Sequence, residues 1–301
     1  MANNLRKLGI ATVLAMVVIL ATTLLALSYS EVGSIDGIWG EALADSDYSA
    51  VPQSVADDAA ILGAELFDEG GRKYRAFVDQ LLATYAEAED KDFIIVFNSG
   101  GWGWTLVEKS PGWRSILTGI KSELDSLGYE SVVLNYRRTS ETTLGCIEEF
   151  AEAIADYPSK AKALASRVEF LTDHLPHLNV IVTGESNGSS ISESTMHLLQ
   201  DNRSVYSIQT GSPFWHRPVT VERTLLLNNN GVAPDSFSEG DIPVMLWASL
   251  KDLFGLVPPE ENPGTVLSFL RAPGHDYSWQ YSEVCSQIKG FLGDNFRTGG
   301  K

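Results

Sequence analysis

From residue 93 onward the chain alternates short, continuous apolar runs with helical stretches, and that alternation limits what it can fold into. The runs at residues 93–97, 131–135, 180–183, 205–208, 243–247 and 266–270 are apolar at consecutive positions, not at every second one. Strands of that kind need cover on both faces, as parallel strands have when crossover helices pack on either side. Amphipathic stretches near 113–127 and 160–175, one beginning after residue 186 and one over 279–292, supply those helices. The pattern predicts an α/β chain with a doubly wound, mostly parallel sheet of about six strands flanked by helices. Ligands of such sheets bind outside the carboxyl ends of the strands, so the loops after each strand are where chemistry belongs.

Ahead of this region the sequence divides in three. Residues 8–27 form an uncharged run of 20, long enough as a helix to cross a hydrocarbon core of about 30 Å. Arg6 and Lys7 precede it, and Glu31 and Asp36 follow. This bias predicts a single-pass anchor in the lipid bilayer over residues 1–28, with the N-terminus cytoplasmic and the remaining chain outside. The alternative is a signal peptide cut after the small residues of Ala26-Leu27-Ser28, which makes the domain secreted. Residues 29–53 sustain no apolar period and read as a tether. A globular domain then occupies 54–301, with helices near 54–67 and 73–87 before the first strand.

Charge and cysteine content exclude several functions. With 39 acidic against 22 basic residues the formal charge is −17, which repels nucleic-acid phosphates. Cys146 and Cys285 are too few for a disulfide framework or a four-ligand zinc site, and read as separate core thiols.

Chemistry concentrates in Gly184-Glu185-Ser186-Asn187-Gly188, which follows an apolar run and opens a helix. Glycines two positions either side of a serine let a strand turn sharply into a helix, holding the hydroxyl exposed above the sheet. Such a hydroxyl needs a base within hydrogen-bond reach and a third group to orient that base. Of five histidines, His174 and His177 precede the serine at a helix end, and His197 lies well along the following helix. His275, just after the last apolar run, is the preferred base, with His216 in reserve. For the orienting acid, Asp252 follows the run at 243–247 and preserves the chain order serine, acid, histidine. Asp276 adjoins the base and points away from it. The backbone N–H of Asn187 and those of Gly100 and Gly101, in the glycine-rich loop after the first run, are candidate donors to an oxyanion.

On these pieces the chain from about residue 93 to 296 resembles the α/β-hydrolase superfamily, in particular its serine esterases and lipases. The loop at 98–102 is similar to the HGGGW-type oxyanion loop of that family, with Asn98 in place of its histidine and Ser99 in place of a glycine. The resemblance implies a catalytic triad of Ser186, Asp252 and His275, an acyl-enzyme intermediate, and no cofactor or metal. Trp102, Trp104, Phe214 and Trp215 are candidates to line a pocket for a small-molecule or lipid-like acyl substrate. The long stretch at 212–241, rich in Asn, Pro and Ser, suits a lid. Two alternatives stay open at this point: a serine peptidase on the same fold, and a non-catalytic binding or scaffold protein that has kept it.

Overall fold

A computed structural model describes residues 38–39, 48, 50–139, 143–155, 157–216, 221–256, 264–266 and 270–297. The expected anchor over residues 8–27 lies outside them. Among the described residues no helix is long and apolar enough to cross a membrane.

In chain order the elements are β1 (Ile38–Trp39), α1 (Gln53–Leu66), α2 (Arg72–Ala88), β2 (Phe93–Asn98), α3 (Pro111–Ser126), β3 (Ser131–Arg137), α4 (Thr143–Ile154), α5 (Pro158–His174), β4 (Asn179–Glu185), α6 (Asn187–Leu198), β5 (Val205–Thr210), β6 (Thr224–Leu227), α7 (Ile242–Leu253), β7 (Thr265–Val266), β8 (Leu270–Arg271) and α8 (Ser282–Phe296). The main sheet has the order β1-β3-β2-β4-β5-β6. Five of its strands run parallel, and β1, from the stretch read as a tether, pairs antiparallel with β3 at one edge.

The continuous apolar runs have the explanation the sequence implied. Ile94 and Val96 of β2 and Val180 and Val182 of β4 join a core with Phe77 and Leu81 of α2 and Leu164, Val168 and Leu171 of α5. Phe93, Ile95 and Phe97 point the other way, onto Trp113, Ile116 and Ile120 of α3 and Val284 and Ile288 of α8. Successive side chains of a strand alternate faces, so a strand covered on both sides is apolar throughout. All six residues of β2 are buried, and each large apolar side chain so buried is worth about 1.5–3 kcal/mol.

Two expected strands are not strands of this sheet. Residues 243–247 belong to the helix α7: Asp241 caps it by accepting the Val244 N–H at 3.1 Å, and Pro243 sits in its first turn, where a missing N–H costs nothing. Its apolar residues recur at helical spacing on the outer face, where Leu246, Trp247, Leu250 and Leu253 are exposed. The run at 266–270 is split between β7 and β8, two residues each, in a separate antiparallel ribbon. The sixth sheet strand is β6, four residues long, inside the stretch read as a lid. The helix α4 was also missed.

Candidate active site

The elbow forms as the motif required. Ser186 stands between β4 and α6 with φ 53° and ψ −121°, a conformation that a non-glycine residue holds only when its surroundings over-determine it. A Cβ on Gly184 would stand 2.5 Å from the Gly188 carbonyl oxygen, and one on Gly188 would stand 2.2 Å from that of Asn98. Neither position has room for a side chain, because the helix starts directly against the strand tips. Around the turn, Ser186 N–H donates to Thr210 O at 2.9 Å and Ser189 N–H to Ser186 O at 2.8 Å.

His275 lies in the segment after β8, packed edge-on against Phe237 with ring centroids 4.9 Å apart. It and Ser186 line one small cavity of about 170 Å³ together with Gly100, Gly101, Trp102 and Trp104. The carboxylate on its ring is that of Asp235, whose Oδ2 stands 2.9 Å from Nδ1. Asp235 is fully buried and also accepts from Tyr277 Oη at 2.8 Å, Ser238 Oγ at 3.0 Å, and the N–H groups of Phe237 and Ser238 at 2.9 and 3.1 Å. Burial alone would raise its pKa, but the bond and charge of His275, with the Tyr277 hydroxyl and the Ser238 N–H, outweigh that and hold it below the usual carboxylate range. An ionised carboxylate at Nδ1 takes the Nδ1–H of a neutral imidazole, which leaves Nε2 as the proton acceptor.

Asp252, expected as the orienting acid, is not at His275. It stands on α7, where its Oδ2 accepts from Arg271 Nε at 2.8 Å and ties the helix to β8. The strand behind that expectation is absent: 243–247 is helix, and the carboxylate that meets His275 comes from the loop after β6. The loop after β6 is stitched to the histidine segment, since Ser236 N–H donates to Pro273 O at 2.9 Å and Asn230 Nδ2 to Asp276 O at 2.9 Å. Asp235 stands between Pro234 and Ser236, a common turn setting. Its one distinguishing signal was chain order, which Asp252 shared. His216 is buried against Glu193, with Nε2 3.0 Å from Oε2. His177 and His197 are exposed, and His174 contacts Asp58.

The glycine-rich loop after β2 lies against the serine, with an ideal Gly100 Cβ position 3.1 Å from Ser186 Cβ. Among the described residues the backbone N–H groups of Gly101 and Asn187 have no acceptor. That of Gly100, also expected as an oxyanion donor, points at Glu185 Oε2, 3.4 Å away; the acid inside the elbow motif claims it. Asn187 Nδ2 donates to Gly101 O at 3.1 Å and so braces one donor residue against the other.

Glu185 sits beside the site with its pKa raised, chiefly by desolvation. A carboxyl whose pKa is higher folded than unfolded is penalised at high pH and relieved once protonated, so stability rises as pH falls toward the ordinary carboxylate value. Glu185→Gln should therefore raise the melting temperature at pH 7, because the amide carries no charge to desolvate. The gain should vanish below about pH 4, where the unfolded carboxyl is itself protonated. Thermal melts of both proteins across that range measure it.

A second, apolar cavity of about 460 Å³ adjoins the first, and the two share Trp102 and Val266. Glu149, Phe150 and Ala153 of α4, Asn187 and Trp215 complete its lining. Of the four aromatic residues expected in a pocket, Trp102 and Trp215 line this cavity and Trp104 the smaller one, while Phe214 packs edge-on against Trp215 with centroids 4.9 Å apart. Cys146 and Cys285 are free thiols, partly exposed. Among the described residues no group of three His, Cys, Asp or Glu side chains could hold a metal ion.

No family model and no curated protein matches the chain. Among solved structures it is similar to a Trichoderma reesei cutinase in complex with a C11Y4 phosphonate inhibitor, with 12% sequence identity and a TM-score of 0.39, over 82% of this chain and 93% of that one.

Proposed function

We propose that the chain is a serine hydrolase of the α/β-hydrolase type that cleaves carboxylic esters through an acyl-enzyme on Ser186, with His275 as base and Asp235 orienting it. The observation that carries this reading is the pairing of a strained elbow serine with a buried imidazole–carboxylate couple across one small cavity. Ser186 Oγ attacks the ester carbonyl carbon as His275 Nε2 takes its proton. The carbonyl electrons move onto oxygen, which the N–H groups of Gly101 and Asn187 receive. Collapse of that intermediate breaks the ester C–O bond, and the imidazolium returns the proton to the leaving alcohol. Water then enters by the same route in reverse order of roles, releasing the acid and the free serine.

The wide apolar cavity suits the acyl chain, because seating hydrocarbon there against Trp102, Phe150 and Trp215 removes apolar surface from water. Residues 8–27 tether this domain to a bilayer in the same reading, with the catalytic part on the far side from Arg6 and Lys7. Labelling with a fluorophosphonate probe tests the core of it. An activated serine is phosphonylated, and digestion places the adduct on the peptide holding Ser186. A protein left unlabelled under conditions that label a reference esterase would return the chain to the scaffold reading.

A further inference from the structure

Arg138 follows β3 directly and is 1% exposed, a setting in which a guanidinium must have all its partners arranged for it. Its donors are spent on the back of the oxyanion loop. Nη1 donates to Ser99 O at 2.5 Å and Nη2 to Gly101 O at 3.2 Å, while the residue's own backbone N–H donates to Gly103 O at 3.0 Å. The approach is so close that a Cβ on Gly103 would stand 2.5 Å from the guanidinium.

The guanidinium is itself held. Its Nε donates to Glu149 Oε1 at 2.8 Å, and the other oxygen of Glu149 accepts from Lys160 Nζ at 2.5 Å and Thr139 Oγ1 at 2.7 Å. Glu149 belongs to α4, the helix that also brings Phe150 and Ala153 to the apolar cavity.

Geometry gives the clamp a use. In a planar trans peptide the carbonyl and the following N–H point opposite ways, so seizing the Ser99 and Gly101 carbonyls sets the peptide planes on both sides of the Gly100–Gly101 peptide. That middle peptide is fastened by its own carbonyl, which accepts the Gly103 N–H at 3.2 Å. Its N–H, that of Gly101, is the loop donor assigned above to the oxyanion. We propose that Arg138, locked by Glu149 and Lys160, is a positioning residue that aims the Gly101 N–H at the reacting oxygen. This rests on the reading of Ser186 as nucleophile.

Arg138→Lys tests it, since an ammonium on a flexible stem cannot span two carbonyls as the planar fork does. In the full chain, turnover of a p-nitrophenyl ester should fall about 100-fold, the loss expected of one misplaced oxyanion donor, with KM within about threefold because ground-state binding is untouched. The ratio of kcat/KM for an ester over its thionoester is the decisive readout. Sulfur is the larger atom and the poorer acceptor, so donors aimed at oxygen favour the ester; in Arg138→Lys that preference should drop at least about tenfold. A merely structural arginine would lower the melting temperature and leave the ratio alone. Should Arg138→Lys not fold, Glu149→Gln keeps an acceptor for Nε while removing the charge that holds the fork, and should move the ratio the same way by a smaller factor. A folded variant of either kind with an unchanged ratio overturns the clamp. Ser186→Ala run beside them separates the two ideas: inactive Ser186→Ala with unaltered clamp variants defeats the clamp alone, and active Ser186→Ala defeats the reading on which it rests.

Discussion

Ser186→Ala should lower kcat toward p-nitrophenyl esters by about a millionfold, the loss seen where a nucleophile works as a unit with its base. KM should stay close to the wild-type value, because the hydroxyl contributes to the transition state and little to ground-state binding. The fold should survive: alanine keeps the Cβ against which Gly100 packs, and no hydrogen bond of the elbow uses the serine hydroxyl, the turn being held by backbone bonds of Ser186 and by Ser189. Steady-state rates with matched circular dichroism measure both halves. Wild-type turnover in the alanine protein would remove Ser186 from the chemistry.

The second large effect separates two aspartates. Asp235→Asn should cost about 10⁴-fold in kcat, since an amide can offer its N–H to Nδ1 and stabilise the tautomer with its proton on Nδ1 no longer. Asp252→Asn should stay within about threefold of wild type and show only the small stability loss of a partly exposed ion pair. Stability of Asp235→Asn adds a sign. The folded pKa of Asp235 is depressed, so its contribution is fully present above the ordinary carboxylate value and is lost as pH falls through the lower folded one. The wild-type protein should lose stability in that acid window, and Asp235→Asn should lose less there. Equal kcat losses in the two variants would mean that the buried couple is not the working pair.

The contrast between these aspartates marks how far residue patterns reach in this chain. The apolar runs at β2, β3, β4 and β5 were legible because strands covered on both faces are apolar at consecutive positions over most of their length. The elbow was legible because two glycines and a serine at fixed spacing have a steric reason that needs no tertiary information. Of the five histidines, His275 follows the last apolar run, and it shares a cavity with Ser186. Asp235 was not reachable that way. A helix whose outer face is apolar, α7, looks like a buried strand when only five residues are read, and β6 is too short to stand out within a polar stretch. With those two exchanged, the candidate acid falls on Asp252, five residues past the run at 243–247 and inside α7.

Arg138 shows a related limit. Nothing distinguishes it in sequence from the adjacent Arg137; its burial, and its grip on two carbonyls some 40 positions earlier, exist only after β2 and β3 are placed side by side.

Local steric demands and the both-faces rule for parallel strands were therefore enough to determine the sheet's character and the turn at Ser186. Which carboxylate meets the imidazole, which amide is left without an acceptor and which cation braces the loop were decided by the tertiary structure alone. The physical reason is range: backbone periodicity and glycine sterics act between neighbours in the chain, whereas a hydrogen bond between Asp235 and His275 spans 40 residues and depends on where the loop after β6 is fastened.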